Sequence, residues 1–210
     1  MLLPKPFYLI RHGQSRANER RITAGGLFDS PLTNKGRDQA HALRPHLKDN
    51  LLPMPSVIYH STMIRAHDTA RILNEELGLE MIADFALREH DLGGWDGLPW
   101  EDVIPQLRAK VPPPGGETTE RFAERIRDTL NKILKTSDEK NPPMIVAHGG
   151  LFHAIGHMYE CAITDINNCH MHFFEPLPEK QEFPWHIWQF DIEEESAGLI
   201  KRPAPFLKAA

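Results

Sequence analysis

Two histidines and two arginines in this chain have the residue types and local settings of a phosphoryl-transfer site. His148 and the pair Arg11 and His12 each come directly after a short apolar run, and Arg65 lies a few residues beyond a third run. A neutral imidazole nitrogen can attack phosphorus and form a covalent phosphoenzyme. Arginine is suited to bidentate binding of phosphate. If the apolar runs are neighbouring strands, these four side chains share one positively charged pocket.

Such a pocket also needs groups that stabilise the phosphoryl oxygens and protonate the leaving group. One histidine would be the nucleophile, kept neutral by the arginines, and the other would stabilise charge on the phosphoryl oxygens. Gly149 and Gly150 lie where a helix is expected to begin, so their free N–H groups would add to anion binding. Glu89, which precedes a glycine-rich segment, is the candidate general acid.

The elements that must position these residues alternate along the chain. Apolar runs predict strands at Phe7–Ile10, Val57–Tyr59, Leu79–Ala83, Met144–Ala147, Met171–Phe174 and Trp185–Ile192. Helices are predicted after Thr33 with an interruption at Pro45, from about Met63 to Gly78, from Glu117, and from 149 to about Glu160. This alternation predicts an α/β three-layer sandwich, with a mainly parallel central sheet and helices on both faces. Ligands bind at the carboxyl ends of the strands in such sheets.

We interpret residues 1–210 as a single domain. Residues 88–118 are irregular apart from one short helix at about 100–110, and we interpret 90–117 as a lid-like insertion that shapes the leaving-group pocket. The tail, residues 196–210, shows little pattern and is expected either to be flexible or to lie along the surface.

The composition argues against several other classes of protein. The 210 residues include 24 Lys and Arg against 29 Asp and Glu, a net charge of −5, which is unlike the basic balance of nucleic-acid binders. The two cysteines are too few for a disulfide framework, and neither a membrane-spanning run nor a signal peptide is visible. These features predict a cytoplasmic protein with no membrane or nucleic-acid partner. The sequence does not indicate an oligomeric state.

Six motifs in order make the sequence similar to the histidine phosphatase superfamily, the phosphoglycerate-mutase-like proteins, from Phe7 to about Phe174. The motifs are Arg11–Ser15 with Asn18; Asp29–Thr33 with Gly36, Gln39 and Ala40; Ser61 with Arg65, Ala66, Thr69 and Ala70; Glu89 with Gly94–Gly97; Gly115–Glu117 with Phe122 and Arg125; and Val146–Gly150. Any one of them would be a weak signal, whereas six in the family's order are a strong one.

The resemblance implies a role for each matching residue. It makes His12 the phosphorylated nucleophile and Glu89 the proton donor. The residues that it implies hold the phosphoryl group are Arg11, Arg65 and His148, with Asn18 assisting. The implied activity is that of a cofactor-independent phosphatase acting on a small-molecule phosphate ester, with no metal and no organic cofactor.

Departures from the family pattern bear on which member this chain resembles. Mutase members carry E-R-x-Y-G after the acid and a longer insertion with paired basic residues. Here Glu89–Gly93 is E-H-D-L-G, and 98–117 contains only Arg108 and Lys110 as basic residues. The segment therefore resembles the phosphatase members. A phosphoglycerate-type mutase and a non-catalytic phospholigand-binding module remain the alternatives.

The histidine content raises a metal-binding alternative. The chain has 12 histidines, and His170 and His172 would lie on one face of a strand. No third ligand accompanies them at a recognisable spacing, so no metal site is predicted.

Overall fold

The computed structural model describes residues 1–177, 179–180, 182–193 and 198–208. The strands in these ranges are β1 (Phe7–Arg11), β2 (Val57–Ser61), β3 (Glu80–Asp84), β4 (Met144–Ala147), β5 (Cys161–Ile163), β6 (Met171–Pro176), β7 (Trp185–Glu193), β8 (Gly198–Pro203) and β9 (Phe206–Lys208). Seven of them form one sheet in the order β3-β2-β4-β1-β6-β7-β8, and β5 pairs with β9 in a separate sheet.

The large sheet is mixed, with a parallel half that carries the predicted site. Strands β3, β2, β4 and β1 are parallel neighbours, whereas β6, β7 and β8 each pair antiparallel with the strand before them in the sheet. The fold class predicted from the sequence is confirmed, because four adjacent strands of the sheet are parallel and helices pack on both of its faces. The six predicted strands correspond to β1, β2, β3, β4, β6 and β7.

The helices begin and end largely where local side chains dictate. They are α1 (Arg16–Arg20), α2 (Asn34–Leu43), α3 (Leu47–Asn50), α4 (Ile64–Leu77), α5 (Trp100–Arg108), α6 (Thr119–Thr136) and α7 (Gly149–Met158). The Thr33 hydroxyl accepts from the N–H of Gly36 at 3.0 Å and starts α2. A short 3-10 turn containing Pro45 separates α2 from α3, as expected for a residue without an N–H. Gly78, at φ +63°, ends α4.

The long helix α6 begins later than the predicted residue, Glu117. The hydroxyl of Thr118 accepts from the N–H of Arg121 at 3.2 Å, so Thr118 is the capping residue and the first helical residue is Thr119. Glu117 is thereby left outside the helix, and its carboxylate is used in the site described below.

Each face of the sheet carries its own apolar core. Phe7 and Leu9 of β1 pack in the cluster that includes α6 and α7. Tyr8 and Ile10 pack in the cluster that includes α2, α3 and α4. Successive side chains of a strand point to opposite faces, so a strand that is buried on both sides is a continuous apolar run.

The C-terminal part of the chain adds β8 at one edge of the large sheet and β9 to the separate two-stranded sheet. β8 pairs with β7, and β9 pairs with β5, although the sequence predicts no strand at 161–163, 198–203 or 206–208. Of the predicted tail, residues 196–197 and 209–210 lie outside the described residues. No helix in the described part of the chain is both long and apolar enough to cross a membrane.

Candidate active site

The register of two parallel strands brings the two candidate histidines together. β1 and β4 pair Arg11 with Ala147, so the next residues, His12 and His148, emerge side by side at the carboxyl ends of the strands. Their ring centroids are 5.2 Å apart, and the two residues are 3% and 0% exposed. The structure thus brings together two residues that are far apart in the sequence.

The hydrogen bonds of His12 define which ring nitrogen carries the proton. Its Nδ1 lies 2.6 Å from the carbonyl oxygen of Gly13. A carbonyl oxygen can only accept, so Nδ1 is the donor and Nε2 of the neutral ring keeps its lone pair. The Nε–H of Arg65 donates to that Nε2 at 3.1 Å. His12 is therefore oriented at both nitrogens, with Nε2 as the nucleophilic atom.

The surroundings of His12 favour its neutral form. Burial lowers the pKa of the imidazole well below 6.5, and the charges of Arg65 and Arg11 lower it further. The hydrogen bond to Gly13 opposes this shift without reversing it. A nucleophilic imidazole must be neutral, so the environment keeps Nε2 available in mildly acidic solution.

We expect the His12 ring to remain neutral at pH 6, where an ordinary histidine is largely protonated. The pKa is lowered, so protonation begins only well below pH 6.5, and a neutral nucleophile is present above that range. An NMR titration of the imidazole protons, with His12 assigned through the His12→Ala variant, measures this directly. A His12 midpoint at or above 6.5 would contradict the expectation.

The two arginines are held by backbone carbonyl oxygens. Arg65 is 1% exposed, and its terminal nitrogens donate to the carbonyl oxygens of Ala24 at 2.9 Å and Phe28 at 3.3 Å. Arg11 donates from Nη1 to the carbonyl oxygen of Ile166 at 2.7 Å. The Nε of Arg11 is buried and has no partner among the described residues. A buried donor of this kind is available for an anion.

His148 lies behind the cavity surface, in contact with the end of β2. Its Nε2 is 2.8 Å from the hydroxyl oxygen of Ser61, and its Nδ1 is buried without a partner among the described residues. Burial is also the main reason that the pKa of His148 is lowered, followed by the charge of Arg65. The next residue, Gly149, begins α7 and packs against Arg11, because a Cβ built on it would lie 3.4 Å from Arg11 Nε.

Glu89 reaches the same place from the segment that follows β3. One carboxylate oxygen, Oε2, accepts from the N–H of Gly150 at 3.1 Å, and the other, Oε1, accepts from the N–H of His90 at 2.9 Å. The carboxyl group therefore lies at the N-terminus of α7. It faces the cavity that Arg11 and His12 also line.

An ion pair fixes the backbone on which Glu89 is carried. The guanidinium of Arg125 on α6 pairs with the Glu117 carboxylate through two bonds, at 2.7 and 2.6 Å. The same guanidinium donates to the carbonyl oxygens of Ala86, Arg88 and Glu89 at 2.8, 3.0 and 3.2 Å. The fifth sequence motif, Gly115–Glu117 with Arg125, thus fixes the backbone of Glu89 through contacts that lie outside the cavity.

Substituting Gly150 with alanine is expected to displace the Glu89 carboxylate. A Cβ at position 150 would lie 1.8 Å from Glu89 Oε1 and 3.1 Å from the ring of Phe122. The flexible carboxylate would move, so we expect kcat/KM to fall by about 10²-fold while the melting temperature changes little. Steady-state kinetics and thermal unfolding measure the two effects.

Gly94→Ala is the matched control for this substitution, because a Cβ there makes only ordinary contacts, the nearest at 3.5 Å. Equal activity of the two alanine variants would show that the position of Glu89 does not matter.

The two amide atoms of Asn18 have different uses: Oδ1 is hydrogen-bonded within the protein, and Nδ2 is available to a ligand. Its Oδ1 accepts from the N–H of Ser15 at 3.1 Å and completes the cap of α1, and it also accepts from Asn168 Nδ2 at 3.2 Å. Asn18 lines the cavity, and its amide Nδ2 is the donor left for a ligand. Gly149 lines the same cavity, so its N–H belongs to the same group of candidate donors.

Sequence reasoning missed Asn168, which links two site residues. Its Nδ2 donates to the carbonyl oxygen of His12 at 3.0 Å as well as to Asn18. Asn168 lies in the loop before β6, and β6 is the antiparallel neighbour of β1, so this loop meets the carboxyl end of β1. The polar cluster between Asp165 and Asn168 ahead of a predicted strand was the available signal.

The predicted site residues, apart from His148, line one cavity of about 580 Å³. The histidine pair considered for metal binding lies elsewhere: His172 is fully buried with neither ring nitrogen partnered among the described residues, and His170 contacts the Asp165 carbonyl oxygen. In the described ranges no three His, Cys, Asp or Glu side chains come together as a metal site.

The family model of the histidine phosphatase superfamily (branch 1) matches residues 7–174. This chain belongs to the histidine phosphatase superfamily. The match contains all six motifs and confirms the resemblance on which the sequence-based prediction depends.

Relatives within the histidine phosphatase superfamily include both phosphatases and mutases. The chain is 36% identical over 183 residues to a Hydrogenobacter thermophilus protein with a provisional phosphoserine phosphatase name, covering 80% of this chain and 85% of that protein. It is 34% identical over 161 residues to the 2,3-bisphosphoglycerate-dependent phosphoglycerate mutase of Parvibaculum lavamentivorans, covering 70% and 76%. A mycobacterial glucosyl-3-phosphoglycerate phosphatase, solved in complex with VO3, has a TM-score of 0.72 and 28% identity over 87% of this chain and 96% of that one.

Taken with the family match, these relatives make the chain an enzyme of the histidine phosphatase type. The fold of the solved relative is the same mixed sheet with flanking helices, as its coverage and TM-score require.

Proposed function

We propose that this enzyme hydrolyses small-molecule phosphomonoesters through a phosphohistidine formed at Nε2 of His12. The observation that carries the proposal is the state of that nitrogen: Nδ1 donates to the Gly13 carbonyl oxygen, and Nε2 presents its lone pair to Arg65 beside the cavity. When substrate binds, the Nε–H of Arg65 can exchange its hydrogen bond to His12 Nε2 for one to a phosphoryl oxygen.

The reaction has two displacement steps. In the first, His12 Nε2 forms a bond to phosphorus while the bond from phosphorus to the ester oxygen breaks, and Glu89 gives its proton to the departing oxygen. In the second, water attacks phosphorus, Glu89 accepts the proton of that water, and the phosphorus–nitrogen bond breaks to restore His12. The net products are the alcohol and inorganic phosphate.

The remaining site residues stabilise the charge that develops on the phosphoryl oxygens. The donors we assign to this role from the cavity lining are Arg11 Nε, Arg65, Asn18 Nδ2 and the N–H of Gly149. We add the unpartnered Nδ1 of His148, which lies behind the cavity surface with its ring 5.2 Å from that of His12. Preorganised donors in a buried site act more strongly than they would in water. All of the steps assigned to side chains proceed without a metal or an organic cofactor.

Three further assignments accompany this proposal. Residues 90–117 act as a lid over the leaving group, since Leu92 and α5 line the outer part of the cavity. The chain acts as a single domain. It works in the cytoplasm, a location supported by the two free cysteines, Cys161 and Cys169.

Trapping the phosphoenzyme tests the mechanism. Rapid quenching during turnover of a ³²P-labelled monoester is expected to leave label on the protein that is stable in base and lost in acid, with chelator present throughout. A steady state without any labelled protein, alongside rapid phosphate release, would contradict a phosphohistidine.

A mutase is the second candidate, because the phosphoglycerate mutase relative is 34% identical to this chain. A mutase would return the phosphoryl group to phosphoglycerate, whereas a hydrolase passes it to water. Labelled 3-phosphoglycerate with a bisphosphate primer distinguishes them by the ratio of isomer to inorganic phosphate. A binding module of the same fold would show neither product.

A further inference from the structure

The outer half of the active-site cavity is built mainly from apolar side chains on α5. Trp100, Ile104 and Leu107 are spaced at i, i+4 and i+7, so they lie along one stripe of this helix, and all three line the cavity. The buried Val103, 1% exposed, anchors the helix, whereas Ile104 is 37% exposed. The Arg21 guanidinium lies over the Trp100 ring, 5.5 Å from its centroid, and the stripe formed by Trp100, Ile104 and Leu107 still lines the cavity and is open to a ligand.

Two polar side chains of the cavity lining, those of Thr23 and His90, are already hydrogen-bonded within the protein, whereas Thr119, His153 and Arg108 are further polar members of the same lining. The Thr23 hydroxyl donates to the Trp95 carbonyl oxygen, and the Leu98 carbonyl oxygen lies 3.1 Å from the same hydroxyl. The Nε2 of His90 is 2.8 Å from the Glu117 carbonyl oxygen, and its ring stacks on Phe122 with centroids 4.7 Å apart. These residues therefore offer a leaving group mostly carbon surface.

Charge is divided unevenly along the cavity. The buried Arg65 and the half-buried Arg11 lie at the phosphoryl end beside His12. Among the described residues that line the outer half, Arg108 is the one arginine or lysine, and it is exposed at the end of α5. Thr119 and His153 are the further polar side chains of the lining that a leaving group rich in hydroxyls could use, against the apolar surface of Trp100, Ile104 and Leu107.

We propose that this site selects phosphomonoesters whose leaving group is apolar, of alkyl or aryl type, over those with polyol or carboxylate leaving groups. The proposal rests on the proposed phosphatase function and specifies its substrate class. The phosphoryl group binds at His12, and the hydrocarbon lies against Trp100, Ile104 and Leu107. Each methylene that it buries strengthens binding.

A chain-length series tests this selectivity, because n-alkyl phosphates share one kind of leaving oxygen. From ethyl to hexyl phosphate, kcat/KM is expected to rise roughly threefold per methylene, approaching 10²-fold in total. Replacing the terminal methyl of butyl phosphate by a hydroxyl, which gives 3-hydroxypropyl phosphate, is expected to lower kcat/KM. A flat series with measurable turnover would overturn the proposal while leaving the phosphatase function intact.

Two matched variants assign the effect to α5. Ile104→Asn places a polar side chain in the stripe and is expected to reduce the hexyl-to-ethyl ratio by about tenfold. Ile200→Asn makes the same change at a residue on β8 that is 41% exposed and lies outside the cavity, so it should leave the ratio unchanged. Equal hexyl-to-ethyl ratios in both variants would mean that α5 does not contribute to the selectivity.

Binding of non-hydrolysable analogues separates this proposal from the catalytic one. Calorimetric titration with ethyl- to hexylphosphonate should show the same trend in Kd even if turnover fails. A Kd independent of chain length would overturn the apolar site. The proposal would also be overturned if kcat/KM were larger for phosphoserine or 3-phosphoglycerate than for hexyl phosphate and this preference disappeared in Arg108→Ala. That result would indicate a site for a carboxylate leaving group.

Discussion

Replacing His12 with alanine is expected to lower kcat/KM by at least about 10⁴-fold and to abolish the phosphoenzyme. The substitution removes His12 Nε2, the ring nitrogen to which Arg65 donates, and with it the covalent step that divides the reaction. Water attacking directly would lack the fixed position of Nε2. Phosphate release from phenyl phosphate, measured with chelator present, gives the size of the loss.

The control for this variant is His41→Ala, which removes an exposed histidine of α2 that does not line the cavity. It should retain wild-type activity. Circular dichroism and thermal unfolding verify that both variants are folded. Turnover in folded His12→Ala within tenfold of wild type would refute the phosphohistidine mechanism.

Glu89→Gln is expected to lower kcat/KM by about 10²- to 10⁴-fold for alkyl phosphates and by much less for dinitrophenyl phosphate. Glutamine keeps the size of the side chain, and its oxygen can still accept from Gly150 or His90. It cannot deliver a proton to the leaving oxygen. An alkoxide needs that proton, whereas dinitrophenolate is already a stable anion, so the loss depends on the leaving group.

The informative measurement is the ratio of the two losses. Glu124→Gln, at an exposed position on α6, serves as the control and should affect neither substrate. An equal loss on both substrates in Glu89→Gln would mean that the carboxylate acts on binding or on local structure instead of donating a proton.

The sequence was sufficient to predict the pairing of His12 with His148 because both follow apolar strands. Continuous apolar runs indicate strands buried on both faces, and the ends of parallel strands meet at one edge. The register between Arg11 and Ala147 needed the structure, because strand order and pairing depend on contacts distant in the chain.

Interactions made by backbone groups were beyond the reach of sequence patterns. The carbonyl oxygens of Ile166, Ala24 and Phe28, which orient the two arginines, belong to residues whose side chains give no hint of this use. The strand β8 was missed for a related reason. Its backbone pairs with β7 at the sheet edge, and Lys201 and Arg202 within it lack the alternating pattern of a half-buried strand.

A residue of that edge strand also reaches the loop behind the site. Arg202 donates to the Asp165 carboxylate at 3.0 Å, and the adjacent residue, Ile166, supplies the carbonyl oxygen that accepts from Arg11. The family model ends at residue 174, so this contact comes from a part of the chain outside the matched motifs. No motif search could have related Arg202 to Arg11.

The buried histidines have a consequence for folding as well as for chemistry. His12, His148 and His172 are almost fully buried with lowered pKa values, that of His172 to about 4. Below pH 6.5 these histidines become protonated in the unfolded chain but stay neutral in the folded chain until lower pH. The free energy of unfolding therefore falls as the pH decreases. For His172 alone the loss approaches about 3 kcal/mol near pH 4, a large part of a typical folding stability. We therefore expect unfolding of the domain to contribute to the lower pH limit of the enzyme, in addition to protonation of His12.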